Sequence, residues 1–247
     1  MSAPLFVVER LPAGPTYTLD GPEGRHAATV TRLRAGESVL LADGRGGIAH
    51  AVVAQAGRHS LDLRIVHTDF TAAADPRLVV VQGIAKGDRG ELAVQAMTEV
   101  GVDEIVPWAA VRSVTRWRDD RGVRSRQRWV STAREAAKQA RRAWLPAIGG
   151  SDQIPAESTA AVAARLSAAT AAFVLHESAE QRLAGADLPT TGSVLLVVGP
   201  EGGIDDAELT AFTAAGARVV RLGEQVLRTS TAGVAALAVL CARLGRW

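Results

Sequence analysis

Two grammars of apolar and polar positions divide the chain. From Leu5 to about Phe70, short β-type runs are separated by turn residues: Leu5–Val8, Tyr17–Leu19, Ser38–Leu41, Ile48–Gln55 and Ser60–His67. Between two of these runs, Asp43-Gly44-Arg45-Gly46-Gly47 is a strong hairpin turn, because its glycines accept the backbone angles that tight connections need. One helical stretch, Gly24 to Leu33, interrupts the strands, and Gly21-Pro22-Glu23-Gly24 just before it reads as only a turn. The whole predicts a small β-barrel carrying a helix.

After Thr71-Ala-Ala-Ala-Asp-Pro76 the pattern changes. That small, polar segment ends in a proline, which disfavours helix at the residue before it, so a linker is expected at 72–77 between domains at 1–71 and 78–247. Beyond it, strand-like runs alternate with helical ones. Leu78–Gly83 precedes helix Arg89–Val100, and Glu104–Trp108 precedes helix Arg121–Arg142. Ala172–Leu175 follows; then Val194–Val198 leads to helix Asp205–Ala214, and Arg218–Leu222 to helix Thr231–Leu244. Val194-Leu-Leu-Val-Val198 is apolar without alternation, which implies burial on both faces, as in a parallel sheet covered by helices. The fold class expected is therefore an α/β C-terminal domain behind a small β-barrel. The alanine-rich stretch Ala156 to Ala172 reads as a helix and a loop without chemistry, and no repeat of 20 to 50 residues is visible.

Composition narrows the class. At 247 residues, 47% hydrophobic and 22% charged, the chain has room for one large domain or two modest ones and the make-up of an ordinary soluble protein. Cys241 is alone, so it forms no internal disulfide, and with no cysteine metal site in view a cytoplasmic location is expected. The first residues lack a basic region followed by an apolar stretch, and no window approaches the roughly 18 apolar residues of a membrane helix. The reading is a protein neither exported nor membrane-spanning.

A net charge of +2 hides an uneven distribution. Arg112 to Arg142 holds eleven basic residues against three acidic ones, Asp119, Asp120 and Glu135. Such an excess is the footprint of a polyanion partner, although a solvated helix face would also carry it.

The most informative segment is Val197-Val-Gly-Pro-Glu-Gly-Gly-Ile-Asp205, placed after a buried strand and before a helix. Its glycines let a ligand approach the backbone, Pro200 stiffens the loop, and ligands of open α/β sheets sit at such strand ends. The spacing is neither a dinucleotide fingerprint nor a P-loop. Asp205, Asp206 and Glu208 open the following helix and would repel a phosphate, so a cationic or neutral ligand is favoured. A tight turn capped by Asp205 is the plainer alternative.

A second constellation is Leu222-Gly-Glu-Gln-Val-Leu-Arg-Thr-Ser-Thr-Ala232, in which Gly223 ends a strand, Arg228 is the single cation, and Thr229, Ser230 and Thr231 compete as helix caps. Two such loops, one bearing Glu201 and the other Arg228, would form two walls of one pocket. Leu175-His176-Glu177 offers a third strand end, where His176 reads more readily as a structural group than as a catalyst. No metal site is expected, because His, Cys and carboxylates do not cluster at ligand spacing along the chain.

Gly199-Pro-Glu-Gly-Gly203, followed by Leu222-Gly223 and Leu227-Arg228-Thr229-x-Thr231-Ala232, resembles the SPOUT-class methyltransferases, and among them the ribosomal small-subunit RNA methyltransferase E family. Further matches span nearly the whole chain: His26, Val30, Arg32, Gly36 and Asp43-Gly44; Lys86, Glu91 and Gln95; Glu99, Gly101-Val102 and Arg112-Ser113; and Glu135, Gln139, Arg142 and Pro146. The resemblance implies a PUA-like barrel that presents RNA, and a domain whose last segments thread into a trefoil knot. It implies methylation of N3 of a uridine in 16S ribosomal RNA, or the small ribosomal subunit, by a homodimer using S-adenosyl-L-methionine. By position, the cofactor would contact Leu175, His176, Gly199, Pro200, Glu201, Gly202, Leu222, Gly223, Val226, Leu227 and Arg228. Where the family commonly has Glu between the two threonines, this chain has Ser230.

Methyl transfer to nitrogen is an in-line displacement governed by alignment and electrostatics. Arg228, always protonated, is the candidate to stabilise charge on the uracil, with a phosphate or the dimer partner as its alternative contacts, and Glu201 is either a base or a loop anchor. RNA contacts are expected from Arg32 and Arg34 in the barrel and from Lys86, Arg112, Arg116 and Arg142 beyond it, mostly to backbone phosphates. A non-catalytic RNA-binding assembly factor and a small-molecule transferase are the competing readings; the glycine loops argue against the first, and the barrel with its basic cluster against the second.

Overall fold

A computed structural model describes residues 3–247. The chain forms two compact units. One holds the described residues up to Ala73 together with Ala137–Leu145; the other holds Ala74–Ala136 and Pro146–Trp247.

In the first unit, strands β1 (Leu5–Val7), β2 (Thr16–Leu19), β3 (Ser38–Ala42), β4 (Gly47–Ala56) and β5 (Leu61–Phe70) form one sheet in the order β1-β3-β4-β5-β2. Only β1 and β3 run parallel. Alternation buries Val39, Leu41, Ala49, Ala51, Val53, Leu61 and Leu63 on one face, with Phe6, Leu19 and Ala27 packed among them. The expected hairpin turn joins β3 to β4, and Asp43 Oδ1 closes it by accepting from the amides of Arg45 (2.8 Å) and Gly47 (3.1 Å).

Helix α1 occupies Gly21–Arg25 and continues as a π-helical turn over His26–Val30. The tetrapeptide read as only a turn is therefore the first turn of this helix: Pro22 is placed where a missing amide costs nothing, after Asp20 in an extended conformation.

Strand β5 holds a departure from simple alternation. Ala51 pairs with Ile65 but His50 pairs with His67, so Val66 is an extra, bulged residue. The bulge reverses the parity of the strand: His67 and Asp69, which share odd numbering with the buried Leu61 and Leu63, turn to the outer face.

The second unit is a six-stranded sheet ordered β11-β9-β10-β6-β7-β8, built from β6 (Arg77–Gly83), β7 (Glu104–Trp108), β8 (Ala147–Ile148), β9 (Ala171–Leu175), β10 (Ser193–Val198) and β11 (Arg218–Val220). Every ladder is parallel. Both faces of the central strands are apolar, as continuous runs require. Leu78, Val80, Phe173, Val194 and Leu196 meet helices α2 (Arg89–Val100), α3 (Asp119–Gln139) and α6 (Thr229–Arg243). Val79, Val81, Val174, Leu195 and Val197 meet α4 (Thr159–Ala168) and α5 (Asp206–Ala214). Cys241 lies buried in the first of these cores. The two-residue β8 escaped the sequence pattern because so short a strand has no periodicity. No helix is long and apolar enough to cross a membrane among the described residues.

Candidate functional site

The carboxyl ends of β9, β10 and β11 open into one cleft of about 590 Å³, within the range of roughly 300–1,000 Å³ typical of small-molecule sites. All the residues that the sequence assigned to a cofactor, from Leu175 and His176 through Gly199–Gly202 to Leu222–Gly223 and Val226–Arg228, line it. The β10–α5 loop is held by close backbone approaches. A Cβ on Gly83, at the end of β6, would lie 2.7 Å from the Pro200 nitrogen, and one on Gly202 would lie 2.8 Å from the Arg112 carbonyl oxygen. Neither position has room for a side chain.

The helix after this loop is closed to anions by its own carboxylates. Asp205 Oδ1 accepts from the Ala207 amide and Glu208 Oε2 from the Asp205 amide, a capping box. Glu208 is almost fully buried, and its other oxygen accepts from the Val111 amide (2.8 Å) and the Thr159 hydroxyl (3.0 Å). One carboxylate thus fastens the segment carrying Arg112 to the start of α5, a role hidden in the sequence because its partners lie 97 and 49 residues away.

Thr229 and Ser230 are inside α6, not before it. The N-cap is Arg228, which is extended at φ −66° and ψ 152°, and no side chain caps the helix. Thr229 instead donates to the Gly199 carbonyl (2.7 Å) and accepts from Gln82 Nε2 (2.9 Å). The two glycine loops are tied together through this hydroxyl. Gln82, fully buried at the end of the apolar run Val79-Val-Val-Gln82, is the polar residue of that run, and its role is not visible in the sequence because its partner is 147 residues away.

Four arginines line the cleft, and three have carboxylate partners: Arg89 with Glu201 (3.1 Å), Arg112 with Asp205 (3.2 Å) and Arg221 with Glu224 (3.5 Å). Arg228, exposed, has none among the described residues. Glu201 also accepts from the Lys86 amide at 3.2 and 3.4 Å. Burial pushes its carboxyl up, but its own backbone amide, Arg89 and the Lys86 amide outweigh that and hold it below the ordinary carboxylate value. His176 is anchored by Ser178, whose amide donates to Nδ1 at 3.3 Å and whose hydroxyl lies 2.7 Å from it.

The residues assigned to RNA divide. Arg32, Arg34 and Arg142 belong to the first unit; Lys86, Arg112 and Arg116 belong to the second. Arg32, Arg34 and Lys86 are exposed. Arg116 turns its guanidinium onto its own loop, donating to the carbonyls of Ala110 (2.9 Å) and Val111 (2.6 Å), and Arg112 is engaged by Asp205. The sequence shows no metal-ligand spacing along the chain; strand pairing brings the ligand atoms of His50, His67 and Asp69 within 4.8 Å of one another.

Residues 73–241 match the RNA methyltransferase domain family, and residues 19–66 the RNA methyltransferase PUA domain family. Fold and cleft together define a methyltransferase of the SPOUT class. The ribosomal RNA small subunit methyltransferase E of Mycobacterium tuberculosis is 44% identical over 251 residues, covering 100% of this chain and 94% of that protein. That of Bacillus subtilis is 26% identical over 240 residues, covering 94% and 92%. The crystal structure of a ribosomal RNA small subunit methyltransferase E from Neisseria gonorrhoeae, bound to S-adenosyl methionine, superposes with a TM-score of 0.85 at 26% identity, covering 98% of each chain. A Legionella pneumophila methyltransferase in complex with the same cofactor gives 0.85 at 25% identity, again covering 98% of each chain. The chain belongs to the ribosomal RNA small subunit methyltransferase E family.

Proposed function

We propose that the protein methylates N3 of a uridine in 16S ribosomal RNA, using S-adenosyl-L-methionine held in the cleft of the second unit. The observation that carries the reading is the convergence of two glycine loops on the cleft arginine that, among the described residues, has no carboxylate partner.

The residues present fit the cofactor. Leu175, Leu222, Val226 and Leu227 offer apolar walls, and Gly223 presents open backbone: a Cβ there would meet only Gln225 Oε1, at 3.6 Å. The carboxylate of Glu177 suits a ligand with a cationic group, Glu224 being held by Arg182 and Arg221, and the self-capped start of α5 disfavours a phosphate. When bound, S-adenosylmethionine supplies an electrophilic methyl group on a sulfonium.

The uridine imide nitrogen becomes a nucleophile only as its proton leaves, in this reading to solvent water in the open cleft, so charge develops on O2 and O4. Arg228 is the donor for that charge, since its guanidinium is not already neutralised by a neighbouring carboxylate. Glu201 carries three donors and a lowered proton affinity, which makes it a weak base; its part is to hold the Gly199–Gly203 loop. His176 fixes the end of β9.

The first unit and Lys86 present RNA through exposed cations in this reading, with the division of labour at the 72–77 linker. A homodimer, a trefoil-knotted C-terminal segment and a cytoplasmic location belong to the same proposal. Close passage of two segments supports the threading: the Arg221 amide donates to Gln181 O and the Leu183 amide to Arg221 O, just before α6.

The test is transfer of labelled methyl to small ribosomal subunits from a strain lacking the modification, followed by nucleoside mass analysis. A 3-methyluridine product supports the proposal. Another methylated nucleoside overturns the N3 assignment, and RNA binding without transfer supports the assembly factor.

A further inference from the structure

The outer face of the β4–β5 hairpin carries a cluster that methyl transfer does not use. His50 faces His67 directly across the strands, and Asp69 lies two residues further along β5 on the same face. His50 Nε2 lies 3.1 Å and His67 Nε2 3.3 Å from Asp69 Oδ2, and the two imidazoles stack with centroids 4.1 Å apart and planes 15° from parallel. We propose that His50, His67 and Asp69 form a binding site for a divalent transition metal ion of the zinc class.

Three features point that way. The spacing suits ligands around one ion: all three ligand atoms lie within 4.8 Å of one another, and the two nitrogen–oxygen separations, 3.1 and 3.3 Å, are near the roughly 3.4 Å that tetrahedral ligand atoms keep at metal–ligand distances of about 2.0–2.1 Å. The donor set, two imidazoles and one carboxylate, suits zinc, nickel or copper rather than magnesium or calcium, which prefer oxygen. Finally, the arrangement depends on the bulge at Val66. Without that extra residue His67 and Asp69 would keep the parity of Leu61 and Leu63 and face the core; a bulge is a device that re-aims side chains. Both imidazole nitrogens face one carboxylate oxygen, so a single divalent ion would meet all three donor atoms once the rings turn out of their stack to aim both in-plane lone pairs at it. Three protein ligands leave a fourth position open to solvent, as Asp69 and His67 are more than half exposed.

The test is calorimetric titration of the full-length, chelator-treated protein with zinc chloride, repeated with cobalt(II) to read coordination from its visible spectrum. One saturable equivalent is expected, with a cobalt spectrum of tetrahedral type and a metal-dependent rise in Tm. His67→Ala and Asp69→Ala should each weaken binding by at least about a hundredfold, with metal-free Tm close to that of the parent, because both side chains are exposed. No saturable binding, or equal binding in the variants, overturns the proposal and leaves the cluster as a hydrogen-bonded histidine–carboxylate group.

Discussion

The tetrapeptide Gly-Pro-Glu-Gly occurs twice, at 21–24 and at 199–202, and the two copies do different work. In the first, it is the opening turn of α1, and the space beside Gly24 is filled by backbone: a Cβ there would lie 2.3 Å from the Leu19 carbonyl oxygen. In the second, it leaves a buried parallel strand and forms the wall of an open cleft. Both glutamates are paired with cations, Glu23 with Lys138 (3.0 Å) and Glu201 with Arg89 (3.1 Å). The first pair is nearly buried and closes a structural corner, while the second holds a loop whose other side faces solvent. The same four residues acquire their role from the element that precedes them.

The comparison is broken most severely by placing a side chain at the second glycine of each copy. Gly202→Val should abolish S-adenosylmethionine binding, because its side chain must displace the Arg112 backbone that fastens the loop; the measurement is calorimetry, with Tm falling far less than binding. An equal collapse of Tm and binding would mean that the second copy, too, is only structural. Arg228→Ala should lower kcat by about 10²–10³ while cofactor affinity stays within about threefold, as for loss of one donor to a developing charge. Arg228→Lys should recover little, because the planar fork is lost. A change confined to cofactor affinity would move Arg228 from the reacting base to the cofactor.

Gly24→Val should do the reverse of Gly202→Val. Overpacking against the Leu19 backbone costs about 3 kcal/mol and lowers Tm by roughly 10 °C, while the surviving folded protein binds cofactor with unchanged affinity. Weakened binding at temperatures where the variant is fully folded would contradict the separation of the two roles.

How much of this was legible in sequence follows from which signals are local. Helix Arg89–Val100 and strand Glu104–Trp108 match the pattern at both ends, because their periodicity is long and their termini are marked by Asp88 and Gly101. Glycine spacing and the family resemblance located the cleft residues. Pairing and register were not legible. Neither Val66 as an extra residue nor the meeting of His50 with His67 follows from composition or spacing, since a one-residue shift in a strand changes every facing side chain. Thr229 looked like a cap because threonine often is one; the hydroxyl found a stronger use between Gln82 and Gly199. Arg116 reads as a phosphate contact because charge reads as exposed, and carbonyls of its own loop take two of its five donors.

The smallest effect sharpens the comparison at Glu201. If this carboxylate anchors the loop, Glu201→Gln keeps the shape, weakens the bonds to Lys86 and Arg89, and should reduce cofactor affinity by about three- to tenfold with kcat nearly unchanged, since a charge-assisted bond exceeds a neutral one by roughly 1 kcal/mol. Its lowered folded-state pKa gives the anchoring a pH signature. The contribution is fully present above the ordinary carboxylate value of 4.5 and is lost as pH falls through the depressed folded value. Parent affinity should therefore hold from neutrality down to about pH 4.5 and decline below it, and the variant should lack that part of the decline. A general base would behave otherwise: Glu201→Gln would remove most of kcat at neutral pH and leave affinity intact, and Glu201 would then rank with Arg228 at the reacting base instead of with Glu23 as a structural pair.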